Sequence, residues 1–268
     1  MGDPATAPPN RVMRERYLDI RPWIRRLEGG GSLDLEERKA LKAVLSEPQR
    51  FGPDEPLVHP GSNLKYAILV LSGLVARVHT TAEGGRRISS ILVAGDICTG
   101  GLALALPPDY DLVALSRGEC ARITEADLRT LQATTPDLML AISRSIIEEN
   151  LVGRAWLLNE GVRSGAARVA HLLSELQWRL SAVGLASSDS CHIPMMQRDI
   201  AAAVGLSTVQ VNRVLQQLRS QGVIALGRGG LAILDAEALA AIGEFEPGYL
   251  EVRMRPAEDL IWSGVELH

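Results

Sequence analysis

The segment Met195–Ile224, MMQRDIAAAVGLSTVQVNRVLQQLRSQGVI, constrains this chain more than any other. It reads as a helix, a three-residue turn and a second helix. Ile200, Ala201 and Val204 fall on one face of the first helix. Gly205 and Leu206 supply a sharp turn, where glycine takes a positive φ without a Cβ clash, and Ser207 is placed to cap the second helix. Val211, Val214, Leu215 and Leu218 then recur at i, i+3, i+4 and i+7, the spacing of a single buried helical face. Two short helices with facing apolar sides form a helix-turn-helix, whose second helix enters the major groove of DNA. Corners of this kind also occur in ordinary cores, but the next residues favour DNA. Val223-Ile-Ala-Leu226 and Leu231-Ala-Ile-Leu234 flank Gly227-Arg-Gly-Gly230, a hairpin signature with Arg228 at the tip, placed like the wing of a winged helix.

With Val211, Val214, Leu215 and Leu218 facing inward, Val209 and Arg213 point nearly opposite, flanked by Asn212 and Gln216. Thr208 and Gln210 sit at the helix start, which meets base edges in this motif. Arg213 has the planar fork that matches guanine O6 and N7, Gln210 and Asn212 can pair with adenine, and Val209 suits a thymine methyl. Gln197, Arg198 and Arg228 are placed for phosphates. Ser207 and Gln210 also fit a capping box, so Gln210 has two roles open to it.

A net charge of −4 looks wrong for a DNA-binding chain, but it is unevenly spread. Residues 161–234 hold seven Arg or Lys against three Asp or Glu, whereas residues 235–268 hold two against eight. A basic module beside acidic segments suits a protein whose other parts meet no phosphate.

Upstream, Tyr17–Leu27 and Leu33–Leu45 read as helices separated by Gly29-Gly-Gly31. From Phe51 to about Ile123 short β-rich runs (57–59, 66–71, 74–78, 88–93 and 112–115) alternate with turn residues, the pattern of a sandwich or barrel-like roll. Glu125–Ala133 is a short helix. Thr135-Pro136 then opens a long one, with threonine as N-cap and proline in the first turn, running to about Asn159. Leu138, Ile142, Ile146, Val152 and Trp156 form its apolar stripe. The stripe either seats a second copy or packs on its own roll; a homodimer is the expectation. Gly161–Ser164 breaks the helix, Gly165–Val183 supports the winged domain with Gly184 as C-cap, and Glu237–Ile242 adds a short helix. The expected class is α+β, in five parts: an N-terminal extension 1–32, a roll 33–133, a dimerisation helix 134–160, a winged helix 161–240 and an acidic tail 241–268 over the surface.

No run is long enough for a transmembrane helix. Met1–Asn10 is too polar for a signal peptide, and its loose match to a myristoylation pattern is read as chance. Cys98, Cys120 and Cys191 lack CxxC spacing, so neither a zinc site nor a disulfide framework is indicated. A cytoplasmic location follows as an expectation. No nucleophile–base pairing, phosphate loop or metal spacing supports an enzyme. A small-molecule or redox sensor with secondary DNA binding is the alternative.

The order of roll, long helix and winged helix resembles the Crp/Fnr family of bacterial transcription regulators over roughly residues 33–240. The likeness rests on Met195–Ile224, on Leu158-Asn-Glu-Gly161 followed by Arg168-Val-Ala-His-Leu-Leu173, and on the turns Val70-Leu-Ser-Gly73 and Ala94-Gly-Asp96. It implies a homodimer, an effector-sensing, cyclic-nucleotide-binding-like roll built as a double-stranded β-helix, and binding to double-stranded promoter DNA that recruits or blocks RNA polymerase. Members that bind cyclic nucleotides carry a glycine–glutamate–leucine run and an arginine–serine pair. Here those places read Gly95-Asp-Ile-Cys-Thr-Gly-Gly-Leu102 and Tyr110-Asp-Leu-Val113. The expectation is no response to cyclic AMP or cyclic GMP, with Asp111 repelling a phosphate and the effector left unnamed. Many members also have glutamate where Val209 stands, so their usual half-site is not expected. Iron–sulfur members use N-terminal cysteines, absent before Cys98, and haem members use a roll histidine, for which His59 and His79 are weak candidates. No cofactor is expected. Cys98, in the former ligand loop, is read as packing ahead of a redox signal.

Overall fold

The computed structural model describes residues 18–99, 106–187 and 191–251. The polar N-terminal stretch, Tyr17, the Gly100–Leu102 part of the expected ligand loop and the tail beyond Glu251 lie outside these residues.

Helix α1 (Arg21–Leu27) and helix α2 (Leu35–Ala43) precede the roll. Asp34 starts α2 by accepting from the Glu37 amide at 2.8 Å, while the Glu37 carboxylate accepts from the Asp34 amide at 2.9 Å. This reciprocal box satisfies two otherwise orphan donors and sets the boundary inside the expected range.

Eight antiparallel strands come next among the described residues: β1 (Gln49–Phe51), β2 (Pro56–Val58), β3 (Tyr66–Ser72), β4 (Val75–Thr80), β5 (Arg86–Leu92), β6 (Ile97–Cys98), β7 (Asp111–Ala114) and β8 (Gly118–Thr124). They form two sheets, ordered β1-β8-β3-β6 and β2-β7-β4-β5. Strand β8, not among the expected runs, sits centrally in the first sheet, paired with both β1 and β3. Ile68, Val70, Val75, Leu92, Leu112 and Cys120 fill the space between the sheets. The alternate residues are apolar too. Ala67, Leu69, Leu71, Ala121 and Ile123 on the outer face of the first sheet pack under α1, α2 and the start of the long helix. Leu74, Ala76, Val78, Ile88 and Ile91 on the outer face of the second join the core of the C-terminal domain. Strands buried on both faces read as unbroken apolar runs, which is why Ala67–Leu71 shows no alternation.

Helix α3 (Glu125–Thr134) leads to the long helix α4 (Pro136–Val162) of 27 residues, about 40 Å. Thr135 does not cap α4 as expected. Its hydroxyl donates to the Leu131 carbonyl at 2.9 Å and so closes α3. The break falls within Gly161–Ser164 as expected: α4 continues through Gly161 and Val162, and the chain leaves the helix at Arg163. Ser164 then caps helix α5 (Gly165–Ala182), accepting from the Ala167 amide. Gly184, at φ +73°, ends the turn beyond α5. The rest comprises β9 (Cys191–Ile193), α6 (Gln197–Val204), α7 (Thr208–Ser220), β10 (Ile224–Gly227), β11 (Gly230–Ile233) and α8 (Ala236–Gly243).

Candidate nucleic-acid interface

Gly205 closes α6 in the left-handed region (φ +65°), where a Cβ would be strained. Leu206 follows and Ser207 caps α7. Val211, Val214, Leu215 and Leu218 are buried against α5 and α6. This fixes the rotation of α7 and leaves Thr208, Val209, Gln210, Asn212 and Arg213 in solvent, with Val209 71% exposed. An exposed valine flanked by an arginine and an amide sets an apolar group beside polar groups of the kinds that can read base edges. Gln216 is half-buried and lies at the margin of this face.

The capping box forms in full. Gln210 Oε1 accepts from the Ser207 amide at 2.9 Å, and Ser207 Oγ accepts from the Gln210 amide at 3.2 Å. The side-chain carbonyl of Gln210 is thereby engaged, leaving the NH2 group to donate. A bidentate match to adenine needs both ends of the amide, so it is not available while the box holds. Gln197 Nε2 donates to Asn212 Oδ1 at 3.4 Å, tying α6 to α7. Arg198 does not stand free as expected for a phosphate contact; its Nη2 donates to both carboxylate oxygens of Asp54 in the roll at 2.5 Å.

Strands β10 and β11 pair from Ile224–Ile233 to Gly227–Gly230, so the hairpin turns on Arg228-Gly229 alone. Arg228 is exposed at this tip, as a wing requires. Strand β9 adds a third member by pairing with β11. Its signal in the sequence is the short alternation Cys191-His-Ile193, too brief to stand out.

Residues 167–242 match the Crp-like helix-turn-helix domain, and residues 48–135 match the cyclic nucleotide-binding domain. The nitrogen fixation regulation protein FixK of Bradyrhizobium diazoefficiens is 30% identical over 176 residues, covering 64% of this chain and 73% of that protein. The chain belongs to the Crp/Fnr family of transcription regulators. The transcriptional activator protein FnrL of Cereibacter sphaeroides is 23% identical over 82% of this chain and 89% of its own length. Among solved structures, FixK2 from Bradyrhizobium japonicum superposes with a TM-score of 0.63 at 21% identity, covering 74% of this chain and 97% of that one. A Crp-family regulator from Thermus thermophilus gives 0.59 at 18% identity over 73% and 96%. No helix among the described residues is long and apolar enough to cross a membrane.

The long helix of this Crp/Fnr regulator corrects one expectation. Leu138 and Ile142 are buried with α1 and the first sheet, and Val152 and Trp156 are buried in the C-terminal core. Four of the five stripe residues therefore face their own chain, because α4 lies across apolar outer sheet faces that need cover. Only Ile146, 40% exposed, faces solvent. A second apolar row is exposed instead: Ile147, Leu157 (71%), Leu158 and Val162, with Asn150 and Arg154 among them.

The roll and α4 enclose a cleft lined by Arg77, His79, Arg87, Ser89, Tyr110, Glu149, Asn150 and Arg154. Asp111 does not face this cleft. Register puts Asp111 opposite Val78 on the outer side of β7, where its Oδ1 lies 3.0 Å from His59 Nδ1. Tyr110 points inward in its place. Its hydroxyl is 3.3 Å from Cys98 Sγ, and its ring lies 5.0 Å from the Arg77 guanidinium. Burial pushes the Tyr110 pKa up, so it stays protonated. Arg77, missed as a cleft residue from the sequence, is ion-paired with Glu149, and Arg87 with Glu160. His79 bonds Ser89. No cluster of metal-ligating side chains occurs among the described residues.

Proposed function

We propose that this regulator acts as a homodimer that places α7 of each protomer in successive major grooves of a two-fold symmetric site. The observation that carries this reading is the solvent-facing row Thr208, Val209, Asn212 and Arg213 on a helix whose rotation is fixed by its buried side. Arg213 reads guanine, Val209 contacts a thymine methyl, and the Gln210 amide donates to a base acceptor. Arg228 contacts phosphate from the wing. The dimer forms through the exposed row of α4: Ile146, Ile147, Leu157, Leu158 and Val162. Asn150, a polar residue within that row, is of the kind that fixes register in paired helices.

The roll does not bind cyclic AMP or cyclic GMP. A cyclic phosphate must exchange its water for donors and an uncommitted cation. Arg77 and Arg87, the arginines that the roll itself supplies to the cleft, already hold carboxylates, and Tyr110 covers the guanidinium of Arg77. The remaining cation among the described residues of the cleft, Arg154, stands on α4 and is exposed to water. Calorimetry with millimolar cyclic nucleotide should show no saturable heat; micromolar binding would overturn this part.

Selection of preferred DNA from a random pool with purified full-length protein tests the main reading. Enriched sites should be inverted repeats whose half-sites lie about one helical turn, roughly 34 Å, apart. Failure to enrich any sequence, or enrichment of single half-sites only, would refute it.

A further inference from the structure

Helix α1 lies outside both stretches matched to the family's domains, yet it makes two charged contacts that tie the roll to the winged domain. Arg25 Nη1 donates to the Val183 carbonyl at the end of α5 at 2.9 Å. The guanidinium packs directly over Gly184, where no Cβ would fit. A cation at a helix C-terminus is favoured by the helix dipole. The next residue, Arg26, is buried and ion-paired with Asp96, in the Gly-Asp turn of the roll, and with Glu148 of α4. Asp96 Oδ2 in turn accepts from Arg179 of α5 at 2.6 Å. Arg179 reaches Glu175, which also accepts from Trp156 Nε1 of α4 at 2.9 Å and from the Tyr249 hydroxyl at 2.8 Å. Burial holds the Arg26 pKa down at about 10 despite Asp96 beside it.

These groups stay out of water together or not at all. An ion left buried without its partner is strongly unfavourable, so undocking of α1, the roll or α5 exposes the whole set. The packing behind them agrees. Strand β5 lies on α6, where Arg86 Nη1 meets the buried Asp199 at 2.9 Å. The recognition residues of α7 remain in solvent in this docked arrangement.

We propose that α1 is a strap that holds the winged domain against the roll and so sets the direction in which α7 is presented to DNA. Arg25 and Arg26 are positioning residues; neither lies on the DNA-facing surface.

The test uses full-length Arg25→Ala, and Arg25→Ala with Arg26→Met, followed by hydrogen–deuterium exchange with mass spectrometry. Peptides spanning β5 and α6 should exchange about threefold to tenfold faster, as expected for local opening, while β3 and β8 keep their protection. Affinity for a selected DNA site should fall by a similar factor, since only the docked fraction presents α7 correctly. Arg25 is exposed, so its removal leaves the fold intact and the single variant decides the matter if the double variant does not fold. Unchanged exchange in β5 and α6, or acceleration spread evenly over all peptides, overturns the strap. Faster exchange with unchanged affinity overturns its orienting role. Exchange is read without DNA, so failure of the strap is distinguishable from failure of the DNA-binding reading.

Discussion

Replacing Arg213 with alanine isolates base reading from everything else α7 does. Its side chain is exposed and makes no hydrogen bond or ion pair among the described residues. Arginine and alanine are both good helix formers. The change should therefore move stability by less than about 0.5 kcal/mol. A bidentate contact to guanine contributes about 1–3 kcal/mol of discrimination, and a dimer holds two such contacts on separate half-sites. Adding them gives about 2–6 kcal/mol, a loss of roughly 30-fold to more than 10⁴-fold in affinity for the selected site. Fluorescence anisotropy with selected and scrambled duplexes reads this directly. Arg228→Ala is the control. It removes a phosphate contact per protomer, so affinity should fall for both duplexes, and the slope of log K against log salt should shrink by about 1.8 per dimer. If Arg213→Ala kept its preference for selected over scrambled DNA within about threefold, the solvent face of α7 would not be the reading face, and the buried side of the helix would not have fixed which residues meet the bases.

Ile147→Glu with Leu157→Glu should give monomers in sedimentation equilibrium, because both side chains are exposed on the protomer and each would bury a charge in a dimer; an unchanged dimer would place the interface elsewhere. Ser207→Ala removes one half of the capping box and should lower denaturant stability by about 1 kcal/mol, within the range for lost N-caps; no loss would show that Gln210 alone holds the helix start. His171 bears on acid stability. Burial lowers its pKa below 6.5, and its Nδ1 donates to the Gly243 carbonyl. The unfolded chain binds the proton first, so the stability is full above about pH 6.5 and is lost as pH falls toward the folded value. His171→Gln should flatten that part of the pH–stability curve, and an unchanged slope would assign the acid loss to other groups.

Local chemistry determined the helix-turn-helix, because its period, its left-handed glycine and its cap all lie within one stretch of chain. The same holds for the wing, where Arg228-Gly229 turns a two-residue hairpin, and for the long helix as an element. Which way residues face was another matter wherever two apolar surfaces compete. The Leu138–Trp156 stripe was legible, but whether it meets a second copy or its own roll depends on sheet faces distant in sequence. Asp111 shows the same limit in a strand. With a side-chain period of two, a single step of register moves a residue from the cleft to the outside, and only the pairing with β4 fixes that step. Strand β8 carried Glu119 and Arg122, which obscured its pattern until its partners β1 and β3 were in place. The contacts of Arg25 and Asp96 with α5, and of Arg26 with Asp96 and Glu148, left no trace in any local window. They arise because folding brings an N-terminal helix, a turn of the roll and the support helix of the winged domain to one point, where charges can leave water only in each other's company.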